Sequence, residues 1–143
     1  MAVQINSGTS LIDELNQALA WELRAHAMYA HYAAYLKGYQ TLALEAHFKS
    51  EAAESLTHAA RVREAVAQLG GQAVTDRDAT PIVHTEDPEV MLDEALKTEQ
   101  RAAQAYTTIV PRTTDDPVLH HDLRHIWQDE LAAVVETERL MGR

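Results

Sequence analysis

Four stretches of this chain repeat mostly apolar residues at alternating steps of four and three, and each repeat is interrupted by a glutamate. The first runs Leu11, Leu15, Ala18, Glu22, Ala25, Tyr29, Tyr32, Leu36, and the second Leu44, Phe48, Glu51, Ser55, His58, Val62, Ala65, Leu69. The third is Leu92, Ala95, Glu99, Ala102, Tyr106, Ile109, and the fourth Leu119, Leu123, Ile126, Glu130, Ala133, Thr137, Leu140. Such spacing lines one face of a helix at 3.6 residues per turn, so the pattern predicts four amphipathic helices around a shared core. Each helix then carries an acid at a position that its own period turns inward.

The breaks between these seams set the connectivity. Asn6 to Ser10 supplies capping chemistry ahead of the first helix, and Gly38 marks a short turn that makes helices one and two antiparallel neighbours. Gly70-Gly71 ends the second helix. Residues 72–88 hold Pro81, Pro88 and several threonines and aspartates without a period, which reads as a connector running along the bundle to its opposite end. Asp87-Pro88-Glu89 opens helix three, Pro111 stops it, and Thr113 to Pro117 turns and caps helix four. The prediction is an all-α four-helix bundle, two antiparallel hairpins joined by a long crossover. One domain spans 1–143, with helices at about 9–37, 40–69, 88–110 and 116–141.

A faint internal repeat supports two hairpins of common design. Leu19-Ala20-Trp21-Glu22-Leu23-Arg24-Ala25 is similar to Leu96-Lys97-Thr98-Glu99-Gln100-Arg101-Ala102, and a tyrosine follows each glutamate by seven residues, at Tyr29 and Tyr106. Matching hairpins place their acids at matching depths.

Inward carboxylates repel one another, and burial penalises each one that stays ionised. A single inward glutamate is more often a paired core residue. Four of them, with His58 on the same stripe as Glu51, need protons, arginine or metal. The seams contain no lysine or arginine, although Arg24, Arg61 and Arg101 flank them. Two divalent cations would neutralise four carboxylates and accept a neutral imidazole. With no cysteine in the chain, donors are limited to oxygen and imidazole, which suits iron, manganese or zinc.

The remaining chemistry narrows the field. Twelve lysines and arginines against 22 acids give a formal charge of −10, which opposes nucleic-acid binding. The opening MAVQINSGTS has neither a basic end nor an apolar run, no stretch is long enough to span a bilayer, and a cytoplasmic protein is expected. Neither a phosphate-binding glycine loop nor a recognisable nucleophile signature is present. Among the eight histidines, His121 and His125 have i, i+4 spacing but lie off the seam, as do His26 and His47. Trp21 and Trp127 each stand beside a seam residue and suit either helix packing or a subunit contact.

From about residue 11 to 141 the chain resembles the ferritin-like superfamily, and within it bacterioferritin and its relatives. The matching pieces are Glu22-Leu23 with Tyr29, then His58-Ala59 with Arg61 and Leu69-Gly70-Gly71. Glu99 with Ala102 and Tyr106 follows, then Ile126 with Asp129-Glu130 and Glu136-Thr137-Glu138. The resemblance implies a one-crossover bundle around a non-haem di-iron carboxylate centre that oxidises ferrous iron with oxygen or peroxide, as a ferroxidase-type oxidoreductase. The family uses a Glu-x-x-His pair twice, and this chain departs from it twice. Ser55 stands three residues before His58, and Ala133 three residues after Glu130. Glu51 or Glu54 falls within about 60 degrees of His58 around the helix axis and is a substitute for the first loss.

The metal-ligand candidates are therefore Glu22, Glu51, Glu54, His58, Glu99 and Glu130, for two iron ions, with manganese or zinc as alternatives. Leu56 stands where the family has its haem-binding methionine, so no haem is expected. The chain ends at Met141-Gly142-Arg143, where the family continues into a fifth helix used in its large cage; the expectation is a smaller homo-oligomer, a dimer at least. The competing reading is a degenerate ferritin-like bundle without redox activity, serving as a structural or interaction module. A DNA-protecting mini-ferritin is disfavoured by the lack of a basic tail.

Overall fold

The computed structural model describes residues 10–143; Asn6 to Thr9, assigned above to capping chemistry and the first helical residue, lie outside them. Four helices form, α1 (Leu11–Tyr35), α2 (Tyr39–Gln68), α3 (Pro88–Ile109) and α4 (Pro117–Leu140), with a short 3-10 turn at Val110–Thr113 between the last two. The Ser10 side chain accepts a hydrogen bond from the Asp13 amide and opens α1. That helix stops at Tyr35, short of the expected residue 37. Leu36 turns extended, and Gly38, at φ +67°, reverses the chain in a conformation that costs other residues strain.

The end of α2 is closed by backbone bonds from Gly70 to Ala67 and from Gly71 to Val66, with Gly70 at φ +84°. Gly71 has a separate constraint, since a Cβ there would approach Ile12 to 2.7 Å. Asp87 and Asp116 accept amide bonds from Glu89 and Leu119, and each is followed by proline in the first turn of α3 or α4.

The crossover between α2 and α3 follows α1 from its N-terminal to its C-terminal end. Asn16 bonds to Gln72 and Val74, the Ala20 carbonyl accepts from the Asp78 amide, and Tyr32 donates to the Val83 carbonyl. Lys37 pairs with Glu86 at the far end. Arg24, flanking the seam, does not reach the inward acids. It is buried by the crossover, donating to the Thr80 and Pro81 carbonyls at 2.9 and 2.8 Å, and so satisfies backbone that would otherwise lack partners. Because the crossover carries the chain back, α3 runs antiparallel to α1 and α4 antiparallel to α3. No helix among the described residues is long and apolar enough to cross a membrane.

The seams face inward. Two apolar clusters form, one around Leu15, Leu19, Val62, Val66, Ile109 and Leu123, the other around Met28, Tyr32, Phe48, Met91 and Leu92. Between them lies a layer of buried polar side chains, Glu22, Ser55, His58, Glu99 and Glu130.

Candidate metal centre

Each helix brings at least one member of this layer from a seam position, α2 bringing both Ser55 and His58, so its placement follows from helical period and depth along the bundle. Glu22 is 2% exposed, Glu99 and Glu130 3%, and His58 4%. His58 on α2 is the hub. Its Nδ1 lies 2.9 Å from Oε1 of Glu130 on α4 and 3.5 Å from Oε2 of Glu22 on α1. Its Nε2 lies 3.0 Å from Oδ2 of Asp129.

Glu99 on α3 is held from the other side. The Tyr29 hydroxyl donates to its Oε1 at 2.8 Å, and the Tyr106 hydroxyl donates to Oε2 of Glu22 at the same distance. Burial pushes the Glu99 carboxyl well above the usual range, and the Glu130 charge adds to the shift. Glu99 therefore keeps a proton and donates it in a hydrogen bond to Glu130. Glu130 itself rises to about 7 through burial and the Glu22 charge, despite its bond to His58. Burial alone would lower His58, but its bonds to Glu130 and Glu22 prevail and raise it to about 11. In this state an imidazolium neutralises the surrounding acids.

Of the six residues picked from the sequence, the fold brings Glu22, His58 and Glu130 into one buried group whose ligand atoms lie within 4.8 Å of one another. Glu99 joins through Glu130. Glu51 and Glu54 stand one layer outward and half-buried, lining a cavity of about 180 Å³ with Asp129, Ala132, Ala133 and Glu136. The Glu51 carboxyl rises to about 8, through burial first and then the charges of Glu99 and Glu54. Glu54 meets His58 on its outer side, in a second group with Asp129.

Asp129 was missing from the sequence-derived set. Its signals were its place in the Asp129-Glu130 piece of the resemblance and its adjacency to Glu130, one step of about 100 degrees around α4 and thus at the margin of the buried face. Arg61 and Arg101, like Arg24, do not neutralise the inward acids. Arg61 pairs with Asp122 at 2.6 Å, and Arg101 pairs with Asp78 while covering the Trp21 ring at 3.7 Å. Trp21 itself bridges α1 and α3 by donating to the Thr98 carbonyl, and Trp127 bridges α4 and α3 by donating to Thr107. His26 bonds to the Ala52 carbonyl, and the exposed His121–His125 pair belongs to neither candidate metal group found among the described residues.

The donor set fits one divalent cation well, with two carboxylates and an imidazole converging in a buried pocket, and a histidine whose far nitrogen is oriented by an aspartate. Ser55 and Ala133, the positions where the resemblance implies a glutamate and a second histidine, carry neither donor.

A profile described as a ferritin-like domain matches residues 12–142. None of the curated proteins matches the chain. Among solved structures, a ferritin-like, diiron-carboxylate protein from Bacillus anthracis strain Ames superposes with a TM-score of 0.86 at 28% identity, over 98% of this chain and 99% of that one. The bacterioferritin-related protein of Bacteroides fragilis, a dodecameric thioferritin, gives 0.84 at 24% identity over 99% and 92%. Rhodobacter capsulatus bacterioferritin, with a metal-free dinuclear site and haem iron, gives 0.76 at 23% identity over 90% and 81%. The last two identities speak for the fold alone.

Proposed function

The chain belongs to the ferritin-like domain family, and on that premise we propose that it binds iron in its buried layer and oxidises ferrous iron, with oxygen or peroxide as the electron acceptor. The observation that carries this reading is the convergence of Glu22, Glu130 and His58 Nδ1 inside an otherwise apolar core. The Bacillus anthracis structure, described as a diiron-carboxylate protein, supports iron as the metal.

Bound iron supplies one-electron transfer to the acceptor, which side chains of this chain do not provide. The residues supply the rest. Glu22, Glu130 and neutral His58 would hold the ion, while Asp129 would accept from Nε2–H and fix the imidazole's tautomer and orientation. Tyr29 and Tyr106 hold Glu99 and Glu22 in place. Glu99, Glu130 and His58 release protons as positive charge arrives, which couples binding to pH. The apolar clusters on either side exclude water. Two ions would be held with unequal strength: Glu99 with Glu130 and Glu51 would hold the second, without an imidazole of its own. Oxygen and imidazole donors accept manganese or zinc as well.

We further read the chain as a homo-oligomer, a dimer at least. Tyr39, Leu42 and Leu56 on α2 are 87%, 86% and 44% exposed, and a second copy would cover them.

One observation favours the alternative, a degenerate bundle acting as a structural or interaction module. The metal-free layer already satisfies itself, with an imidazolium between Glu130, Glu22 and Asp129 and both tyrosines engaged. Metal analysis of the purified protein, followed by addition of ferrous iron in air, separates the two. A ferric absorbance rising faster than in buffer supports oxidation; a folded chain that takes up no metal and oxidises no iron supports the module.

A further inference from the structure

His58 is shared by two sets of donors on opposite sides of one ring. The inner set is Glu22 and Glu130 around Nδ1, wholly buried. The outer set is Glu54 and Asp129 around Nε2, and its ligand atoms also lie within 4.8 Å of one another. Glu54 and Asp129 line the 180 Å³ cavity, and the alanines at 132 and 133 carry no side chain long enough to close it. An ion arriving from that cavity meets the outer face of His58 before the inner one.

We propose that Glu54, Asp129 and Nε2 of His58 form a second, outer site for a divalent cation, and that it takes turns with the inner set for the single imidazole. The proposal rests on reading the buried layer as a metal site. A neutral imidazole has one ring nitrogen with a free lone pair, and the other carries the proton. With an ion on Nε2, the Nδ1–H group donates to Glu130. With the ion on Nδ1, the Nε2–H group donates to Asp129. Glu130 and Asp129 thus each have a partner in either state.

Transfer inward breaks one metal–nitrogen bond at Nε2 and forms one at Nδ1. The Nδ1 proton passes to Glu130 and is released as the ion binds there, and one proton is taken up at Nε2 from cavity water, so the ring is neutral in both end states. The side chain need not swing, which suits a residue with 4% of its surface exposed in a packed layer. Glu136, on the same cavity wall, adds negative charge that raises the local cation concentration.

The test uses cobalt(II) with the full chain, its E22Q/E130Q variant and its E54Q variant. Anomalous diffraction from cobalt-soaked crystals should place an ion at the inner set of the unaltered chain. In E22Q/E130Q it should place one between Glu54, His58 and Asp129. In stopped flow, E54Q should bind cobalt(II) about tenfold more slowly, with a smaller change in equilibrium affinity. An inner ion in the unaltered chain with no ion at the outer set of folded E22Q/E130Q overturns the outer site and leaves the metal reading standing. An unchanged association rate in E54Q removes the outer site from the inward path and overturns the alternation. Cobalt in neither set of the unaltered chain overturns both the proposal and the reading beneath it.

Discussion

The Tyr29 hydroxyl on α1 donates to Oε1 of Glu99 on α3 at 2.8 Å, across the bundle rather than along its own helix. Tyr106 on α3 donates to Glu22 on α1 at the same distance. Each tyrosine follows a glutamate of its own helix by seven residues and serves the glutamate of the other. This exchange links the two hairpins at the depth of the centre. Burial, then the neighbouring glutamate's charge, pushes both phenols well above their ordinary range, so they remain donors under all ordinary conditions.

Replacing Tyr29 by Phe leaves a buried oxygen of Glu99 without this donor. The expected loss is about 1–3 kcal/mol, the cost of an unsatisfied buried acceptor. Urea denaturation of Tyr29→Phe against the parent measures it; no change in midpoint would mean that Glu99 finds another partner.

Metal-free stability should fall as pH rises. Glu51 has a folded value of about 8 against an ordinary 4.5, so between these the folded chain keeps a proton that the unfolded chain has released. That difference lowers stability across the window and then holds it level. His58 acts in the same sense: with a folded value of about 11 against 6.5, its stabilisation is complete below 6.5 and disappears as pH climbs toward 11. Melting temperature should therefore decline from about pH 5 to about pH 9, and Glu51→Gln should flatten the part below about 8. A parent profile that climbs over this range contradicts the assignment.

Metal affinity should move the other way. An incoming cation displaces protons from Glu130, Glu99 and His58, so binding strengthens with pH. Asp129→Asn should weaken it by about 10–100-fold, since the carboxylate orienting Nε2 is lost while the inner donors remain. Competition with a chelator gives the number, and an unaltered affinity would remove Asp129 from the centre.

Ala133→His tests the unequal second half. The substitution restores an imidazole three residues after Glu130, beside the existing cavity. Calorimetric titration with manganese(II) should show the weaker of two binding events tightening by about tenfold or more. If the added imidazole alters only the tighter event, the weaker position does not lie beside Glu130.

The heptad-like seams were sufficient to indicate a four-helix bundle, because burial in a helical protein follows a period that a list of residues displays. Twenty-four of the 29 seam positions are buried, and the exceptions, Leu11, Leu36, Glu51, Leu69 and Leu140, fall at helix ends or on the cavity. The depth of Glu22, Glu99 and Glu130 was legible for the same reason. Asp129 was not, because its residue lies at the margin of the periodic face and its role depends on where the neighbouring α2 stands. Arg24 was misleading for a related reason: a charge beside a seam has two sides to serve, and the crossover, which has no period, claimed this one.

Residue order alone determined that three acids, Glu22, Glu99 and Glu130, and one imidazole would share a buried layer, since helical period and distance from the turns are properties of the chain taken one helix at a time. Which nitrogen of His58 faces which carboxylate, and where Glu51 and Glu54 open to the outside, was decided only when α2 and α4 packed. Rotation of one helix against another is set by side-chain fit across the whole contact, and no single helix's sequence contains it.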